Sequence, residues 1–342
     1  TCLTTLEKFR YRGRKIAADV SDFRRMINYR AEKTTQKIQK EKDIFKEEID
    51  PAYEIEANYE IVPNFYKLTI HSPLIAKKAK PGNFIIIMTT EKSERIPLTL
   101  SDWDEEEGTI TVYYQEAGFS TKELKRKQKG QRLYSVVGPL GKSIKIDAYG
   151  TIILGGGCYG IGGIYPIAKA LKSKENKVII LLESKNELLF YLQEEFKDFA
   201  DHIYYCTSDG SKGIKGKIKE GLNVIFQDYD KIDRCYFIGC KQMMRDASEF
   251  TKNHGNVPTF VSLNTIMIDG TGMCGGCRLS LVKEGKILTK FACVDGPTFN
   301  GHLVKWDELI KRTNQFSQPE KIVYQNHTCK ALEKFKLGDF DE

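Results

Sequence analysis

Asp269-Gly270-Thr271-Gly272-Met273-Cys274-Gly275-Gly276-Cys277, with Cys293 after fifteen more residues, holds three of the nine cysteines of the chain. Glycine reaches positive φ at no steric cost, so such a segment can wrap closely around something small. Two thiols separated by two residues on that loop can share one metal centre.

The spacing Asp-x4-Cys-x2-Cys-x15-Cys is that of a plant-type [2Fe–2S] loop, C-x4-C-x2-C…C, with aspartate in place of the first cysteine. It makes Asp269, Cys274, Cys277 and Cys293 the candidate metal ligands. A structural zinc site, with His302 after the third cysteine, is the alternative. Zinc knots usually pair two C-x2-C or C-x2-H turns, and here the second turn is missing. Buried, unligated cysteines are a third reading, but they have no need of Gly270, Gly272, Gly275 and Gly276.

Upstream of the loop, residues 148–262 alternate between strand and helix patterns. Thr151-Ile-Ile-Leu154 is a short apolar strand leading into Gly155-Gly156-Gly157-Cys158-Tyr159-Gly160. This satisfies G-x-G-x-x-G in its required setting, after a strand and before a helix (Tyr165–Lys172), and the glycines admit close approach of a ligand phosphate. The next strand, Val178–Leu182, ends at Glu183. An acid there can accept from a ribose 2′-OH and repels a 2′-phosphate, which favours NAD(H), while Lys185 argues the other way. In the plainer reading Glu183 only opens a polar turn. A third strand, Arg234–Ile238, delivers Gly239 and Cys240 to the carboxyl end of the sheet, where open α/β sheets bind ligands, ahead of a helix at Gln242–His254. Cys206 reads as packing.

Residues 53–147 read as a small antiparallel barrel. Tyr53–Ala57, Tyr59–Val62 and Tyr66–Ile70 alternate with period two, Phe84–Met88 is a buried strand, and Thr109–Tyr114 another. Gly138-Pro-Leu-Gly141 is expected to end the barrel in a tight turn. Two loops bear chemistry. In Arg95-Ile96-Pro97-Leu98-Thr99, proline stiffens an extended backbone and the arginine can clamp a pyrophosphate. In Gly118-Phe-Ser120-Thr121, a glycine and two hydroxyls open a helix, whose free N–H groups favour anions. Together they suggest a flavin site.

Composition sets the outer limits. With 342 residues, 41% hydrophobic and 11% aromatic, the chain can fill two or three domain cores. A net charge of +7, spread without an aromatic-interleaved basic patch, gives no sign of nucleic-acid binding. No apolar run reaches the ~20 residues of a membrane helix, and no signal-peptide pattern is visible. The odd, mostly isolated cysteines point to a reducing compartment, and a cytoplasmic location is expected. Residues 1–52 form a basic extension: within residues 1–50, thirteen Lys/Arg against nine Asp/Glu leave +4. Ile16, Val20, Phe23 and Ile27 recur at helical spacing there, and the extension is either a partner-docking arm or a solvated helix.

Ser262-Leu-Asn-Thr-Ile-Met-Ile-Asp269 through Cys277-Arg278, Phe291-Ala-Cys293-Val-Asp-Gly-Pro297 and Gly301-His-Leu-Val304 together resemble the signature of ferredoxin-reductase-like electron-transfer subunits. The chain looks like the small subunits of NADH-dependent ferredoxin:NADP+ oxidoreductases and, more distantly, dihydroorotate dehydrogenase electron-transfer subunits, which have cysteine where this chain has Asp269. The resemblance covers about residues 53–310 and implies a multidomain fold: an FAD-binding barrel (53–147), an NAD(P)-binding α/β domain (148–262) and a [2Fe–2S] domain (263–310), while the helical extension (1–52) and a tail (311–342) have no counterpart in it. It implies FAD contacts from Arg95, Ile96, Pro97, Leu98 and Thr99, with Thr99 near flavin N5 as the catalytic side chain. Gly118, Ser120 and Thr121 resemble the pyrophosphate turn. Gly155, Gly156, Gly157 and Gly160, with Glu183, Gly239 and Cys240, fall to NAD(H) or NADP(H). Relatives carry Thr-Gly where this chain has Cys158-Tyr159, which puts the nucleotide loop in question. The implied activity is hydride exchange with NAD(P)H at FAD and single-electron relay through the cluster. The implied partner is a large iron–sulfur flavoprotein subunit, with ferredoxin reached indirectly and flavin-based bifurcation a possible setting. The alternative is a non-catalytic adapter with a degenerate nucleotide site and a structural metal loop.

Overall fold

The computed structural model describes residues 53–315 and Gln318. The extension expected at residues 1–52 and most of the tail lie outside the described residues. In the barrel, β1 (Ile55–Val62), β2 (Phe65–His71), α1 (Pro73–Ala76), β3 (Phe84–Met88), β4 (Ile96–Asp104), β5 (Thr109–Gln115), α2 (Phe119–Leu124) and β6 (Ser135–Leu140) follow in order. The strands pair antiparallel as β1-β2-β5-β4-β3-β6. At one end of the sheet Glu54 bridges to Arg132, and Ile55 N donates to Gln131 O at 2.9 Å, which draws the segment leading into β6 against the start of β1. Period-two alternation sends Leu68, Ile85, Leu100 and Val112 into the interior, all fully buried.

Two expectations are corrected in detail. The runs at Tyr53–Ala57 and Tyr59–Val62 form one strand, β1, whose irregular register between Ile55 and Ala57 disguises its continuity. Gly138 and Pro139 lie inside β6 rather than in a turn after it; as a strand at the end of the sheet order, β6 can hold a residue without an N–H.

The second layer contains β7 (Thr151–Gly157), α3 (Gly160–Lys172), β8 (Lys177–Ser184), α4 (Gln193–Lys197), β9 (His202–Thr207), β10 (Ile214–Lys215), α5 (Ile218–Asp228), β11 (Arg234–Ile238), α6 (Lys241–Asn253) and β12 (Thr259–Ser262). After it come the hairpin β13 (Arg278–Lys283) and β14 (Lys286–Phe291), α7 (Ala292–Asp295), β15 (Thr298–Asn300) and α8 (Trp306–Thr313). Seven strands form one sheet, β10-β9-β8-β7-β11-β12-β15, parallel except for β15. Val178 to Leu182 are all fully buried, as expected of a parallel strand covered on both faces.

The packing of these parts positions the site. A Cβ at Gly162 would lie 2.5 Å from Tyr113 Cδ2, so α3 rests directly on barrel strand β5. On the other face of the sheet, one core joins Ile153 and Phe237 to Leu263, Met267, Cys277 and Cys293 of the cysteine segment, and to Phe84 and Ile86 of the barrel. Barrel, sheet and loop therefore share cores. Helix α8 runs on to Thr313, across the boundary expected at residue 310.

Candidate functional site

Asp269 organises the cysteine loop. Its carboxylate accepts from Thr271 N at 3.3 Å, Met273 N at 2.8 Å and Cys274 N at 2.9 Å, and from the Thr271 hydroxyl at 3.1 Å. These donors, the Cys274 N–H foremost, hold the carboxyl well below the usual range, so it is anionic at neutral pH. Gly270, Gly272 and Gly275 have φ of 76°, 85° and 66°, the left-handed backbone that turns successive N–H groups inward.

The four expected ligands stand in two pairs. Cys274 Sγ lies 3.3 Å from Asp269 Oδ1, on the exposed side of the loop. Cys277 Sγ lies 3.1 Å from Cys293 Sγ, and both residues are 1% exposed. Burial pushes the Cys293 thiol up to about 12, and Cys277 beside it adds to the effect. With its thiol so raised, Cys293 becomes a thiolate only against a cation, as metal loading supplies. Two pairs suit a binuclear centre with one pair on each metal. Among the described residues, no three His, Cys, Asp or Glu side chains gather around one point. His302, the ligand offered for zinc, is instead 3.0 Å from the Thr251 hydroxyl.

A cavity of about 290 Å³ opens between the barrel, the sheet and this loop. It lies near the lower limit of ligand pockets, about 300–1,000 Å³, and has room for a planar ring system rather than a whole dinucleotide. Ile96, Pro97, Leu98, Thr99 and Thr121 line it from the barrel, Tyr159 from the turn after β7, Ile238 from the parallel sheet, and Asn264 and Met267 from the cysteine segment. Its wall is largely apolar, with hydroxyls at Thr99 and Thr121, which fits a flavin ring. Arg95, Gly118 and Ser120 are not among the lining residues. Arg95 Nη1 donates to Ile268 O at 3.3 Å, tying the barrel to the residue before Asp269. The Thr121 hydroxyl accepts from Ala117 N at 3.0 Å and Gly118 N at 3.1 Å, and the Ser120 hydroxyl donates to Glu94 at 2.8 Å. Nothing stands within 4 Å of a Cβ placed on Gly118, so the turn is open on that side.

The glycine run also has a packing use. Gly155, Gly156 and Gly157 complete β7, and only Cys158 and Tyr159 form the turn before α3. Gly160 is required by packing: a Cβ there would sit 1.8 Å from Ile238 O. Cys158 takes φ of 53°, a conformation that glycine adopts more readily. Two contacts brace it: the Tyr159 hydroxyl donates to Gly239 O at 2.7 Å, and the Tyr191 hydroxyl donates to Cys158 O at 3.0 Å. Tyr191 also accepts from Gly162 N at 3.1 Å, a role with no local sequence signal. Cys240 caps α6, its sulfur accepting from Met243 N at 3.4 Å.

Beside this turn a second cavity, of about 150 Å³, is lined by Cys158, Ser184, Lys185 and barrel residues Asn64, Phe65 and Gln115. Glu183 is absent from that wall. Burial pushes its carboxyl up to about 7, partly offset by the Ile218 N–H, and Oε2 is buried without a partner. An orphaned acceptor at the carboxyl end of the sheet suits a ligand hydroxyl.

Comparison with known proteins bears on the same regions. Residues 264–305 match the family model of the iron–sulfur cluster binding domain of dihydroorotate dehydrogenase B. A Thermotoga maritima protein named as a homolog of the dihydroorotate dehydrogenase B (NAD(+)) electron transfer subunit is 42% identical over 272 residues, 80% of this chain and 94% of its own length. The electron transfer subunit of Geobacillus thermodenitrificans dihydroorotate dehydrogenase B is 31% identical over 245 residues, covering 70% of this chain and 92% of its own. A solved chain from the NADH-dependent reduced ferredoxin-NADP oxidoreductase, described in connection with flavin-based electron bifurcation, superposes with a TM-score of 0.75 at 41% identity. The match covers 81% of this chain and 98% of that one.

Proposed function

The chain belongs to the family of dihydroorotate dehydrogenase B electron-transfer subunits, and we propose that it draws electrons from a nicotinamide dinucleotide and delivers them singly to a partner subunit. The observation that carries this reading is the shared cavity, whose wall takes Thr99 from the barrel, Tyr159 from the nucleotide turn and Met267 from the cysteine segment. Donor, converter and relay can then meet without a long gap.

FAD would be held by Ile96, Pro97, Leu98 and Thr99 along β4, with Arg95 and the turn Gly118–Thr121 toward its pyrophosphate. Asp269 and Cys274 would bind one iron of a [2Fe–2S] cluster, and Cys277 and Cys293 the other. When bound, the flavin supplies conversion between two-electron and one-electron transfer, and the cluster supplies a one-electron relay. The chain's own residues do the rest. Thr99 offers a hydroxyl to the ring, the apolar wall excludes water, and the Asp269 carboxylate puts a hard oxygen among soft sulfurs. The nucleotide would dock at Gly155–Gly157, Gly160, Gly239 and Cys240, where Glu183 favours NAD(H) and Lys185 in the second cavity favours a 2′-phosphate.

Met273 is 88% exposed and Ile268 53%, an apolar rim over the cluster loop that suits docking of a larger redox subunit, which we take to be an iron–sulfur flavoprotein that reaches ferredoxin in turn. Among the described residues, no helix is long and apolar enough to cross a membrane. Cofactor analysis of the anaerobically purified chain tests this reading. Bound FAD with about two irons and two sulfides per chain is expected; colourless protein holding one zinc would leave only an adapter.

A further inference from the structure

Arg312, in the last turn of α8, reaches back to the cysteine loop. Its Nη1 donates to Arg278 O at 2.7 Å and its Nη2 to Gly276 O at 3.0 Å. These are the carbonyls on either side of Cys277, one of the two buried sulfurs. A guanidinium is a rigid planar fork, so two such bonds fix both peptide planes at once. In a trans peptide the N–H points opposite the C=O. With Gly276 O turned toward Arg312, the Cys277 N–H faces away from it.

The helix that presents Arg312 is itself held from three directions. Trp306 Nε1 donates to Gly301 O at 3.0 Å, the Ser280 hydroxyl of β13 bonds Glu308 at 2.7 Å, and Lys241 Nζ of α6 reaches the Thr313 hydroxyl at 2.6 Å. The fork's own hydrogen-bond partners are neutral carbonyls of the loop rather than a carboxylate, and the nearby Glu308 offsets only part of its charge. Arg312 is half-buried, where a charge acts through less water than on the surface.

We propose that Arg312 is a positioning residue for the iron–sulfur loop, which clamps the Cys277 side closed and raises the midpoint potential of the bound cluster. The inference rests on the reading of Asp269, Cys274, Cys277 and Cys293 as cluster ligands. Three thiolates and a carboxylate surround the centre with negative charge, and reduction adds one more. A fixed cation beside Cys277 favours the reduced form, as charge and hydrogen bonding near the sulfurs do generally.

The test is an EPR-monitored redox titration of the full cluster-loaded chain and two variants. Arg312→Gln should retain the cluster and shift its midpoint to more negative potential. Arg312→Lys keeps the charge without the fork, so a wild-type midpoint is expected, with faster iron release to a chelator. An intact Arg312→Gln cluster at the wild-type midpoint overturns the proposal. A Lys variant with a displaced midpoint also overturns it, even where the Gln variant loses its cluster. Absence of iron and of an EPR signal from the wild-type chain is a separate outcome, and overturns the cluster reading itself.

Discussion

Glu183 is a buried acid in a place where its ionisation can be measured. Burial lifts its carboxyl from 4.5 to about 7, and Lys217 and the Ile218 N–H only partly offset the cost. With the folded value above the unfolded one, its stabilising contribution is complete below about 4.5 and is lost as pH rises to about 7. That interval, at about 1.4 kcal/mol per pH unit, sets a ceiling of roughly 3.5 kcal/mol. Glu183→Gln removes the charge. Relative to wild type, the variant should gain about 2 kcal/mol on going from about pH 5 to about pH 8.5. For 342 residues unfolding together that is roughly 3 °C in Tm. Thermal denaturation of both proteins at the two pH values is the assay. Any fixed cost of packing the amide cancels in the comparison. An identical Tm difference at both pH values would refute the argument that Glu183 sits as a desolvated acid.

Other variants probe the remaining parts. Asp269→Cys should retain the cluster while changing its EPR spectrum and midpoint potential; an unchanged spectrum removes Asp269 from the ligand set. Gly160→Ala must push backbone apart, because its Cβ would lie 1.8 Å from Ile238 O where real contacts stay above 3.0 Å. It should cost about 2–3 kcal/mol, whereas Gly118→Ala, with nothing within 4 Å, should stay within about 0.5 kcal/mol of wild type; urea midpoints compare the two. Tyr159→Phe deletes the bond to Gly239 O and should lower Tm by an amount corresponding to about 1 kcal/mol, with flavin content unchanged on absorption.

The cysteine loop was legible because its message lies in spacing along the chain, and chain spacing largely sets how closely ligands can approach one centre. The barrel and parallel strands were legible for a similar reason, since periods of two and fully apolar runs are local. The glycine run was harder. Gly155–Gly157 read as a loop but finish β7, and Gly160 and Gly162 are small also because Ile238 and Tyr113 lie against them. Those neighbours are far away in sequence. Arg312 was hidden likewise: nothing around it marks it, and its meaning comes from two carbonyls more than thirty residues upstream, Gly276 and Arg278. Tyr191, which braces both Cys158 and Gly162, belongs to the same class.

Anaerobic titration of the cofactor-loaded chain with NADH and, separately, with NADPH tests the central claim most directly. With flavin and cluster bands followed together, at least one nucleotide should bleach the flavin and then the cluster, in stoichiometric steps. If dithionite reduces both centres while neither nucleotide reduces either one, the chain is not the entry point for nicotinamide electrons, and the proposed function is contradicted.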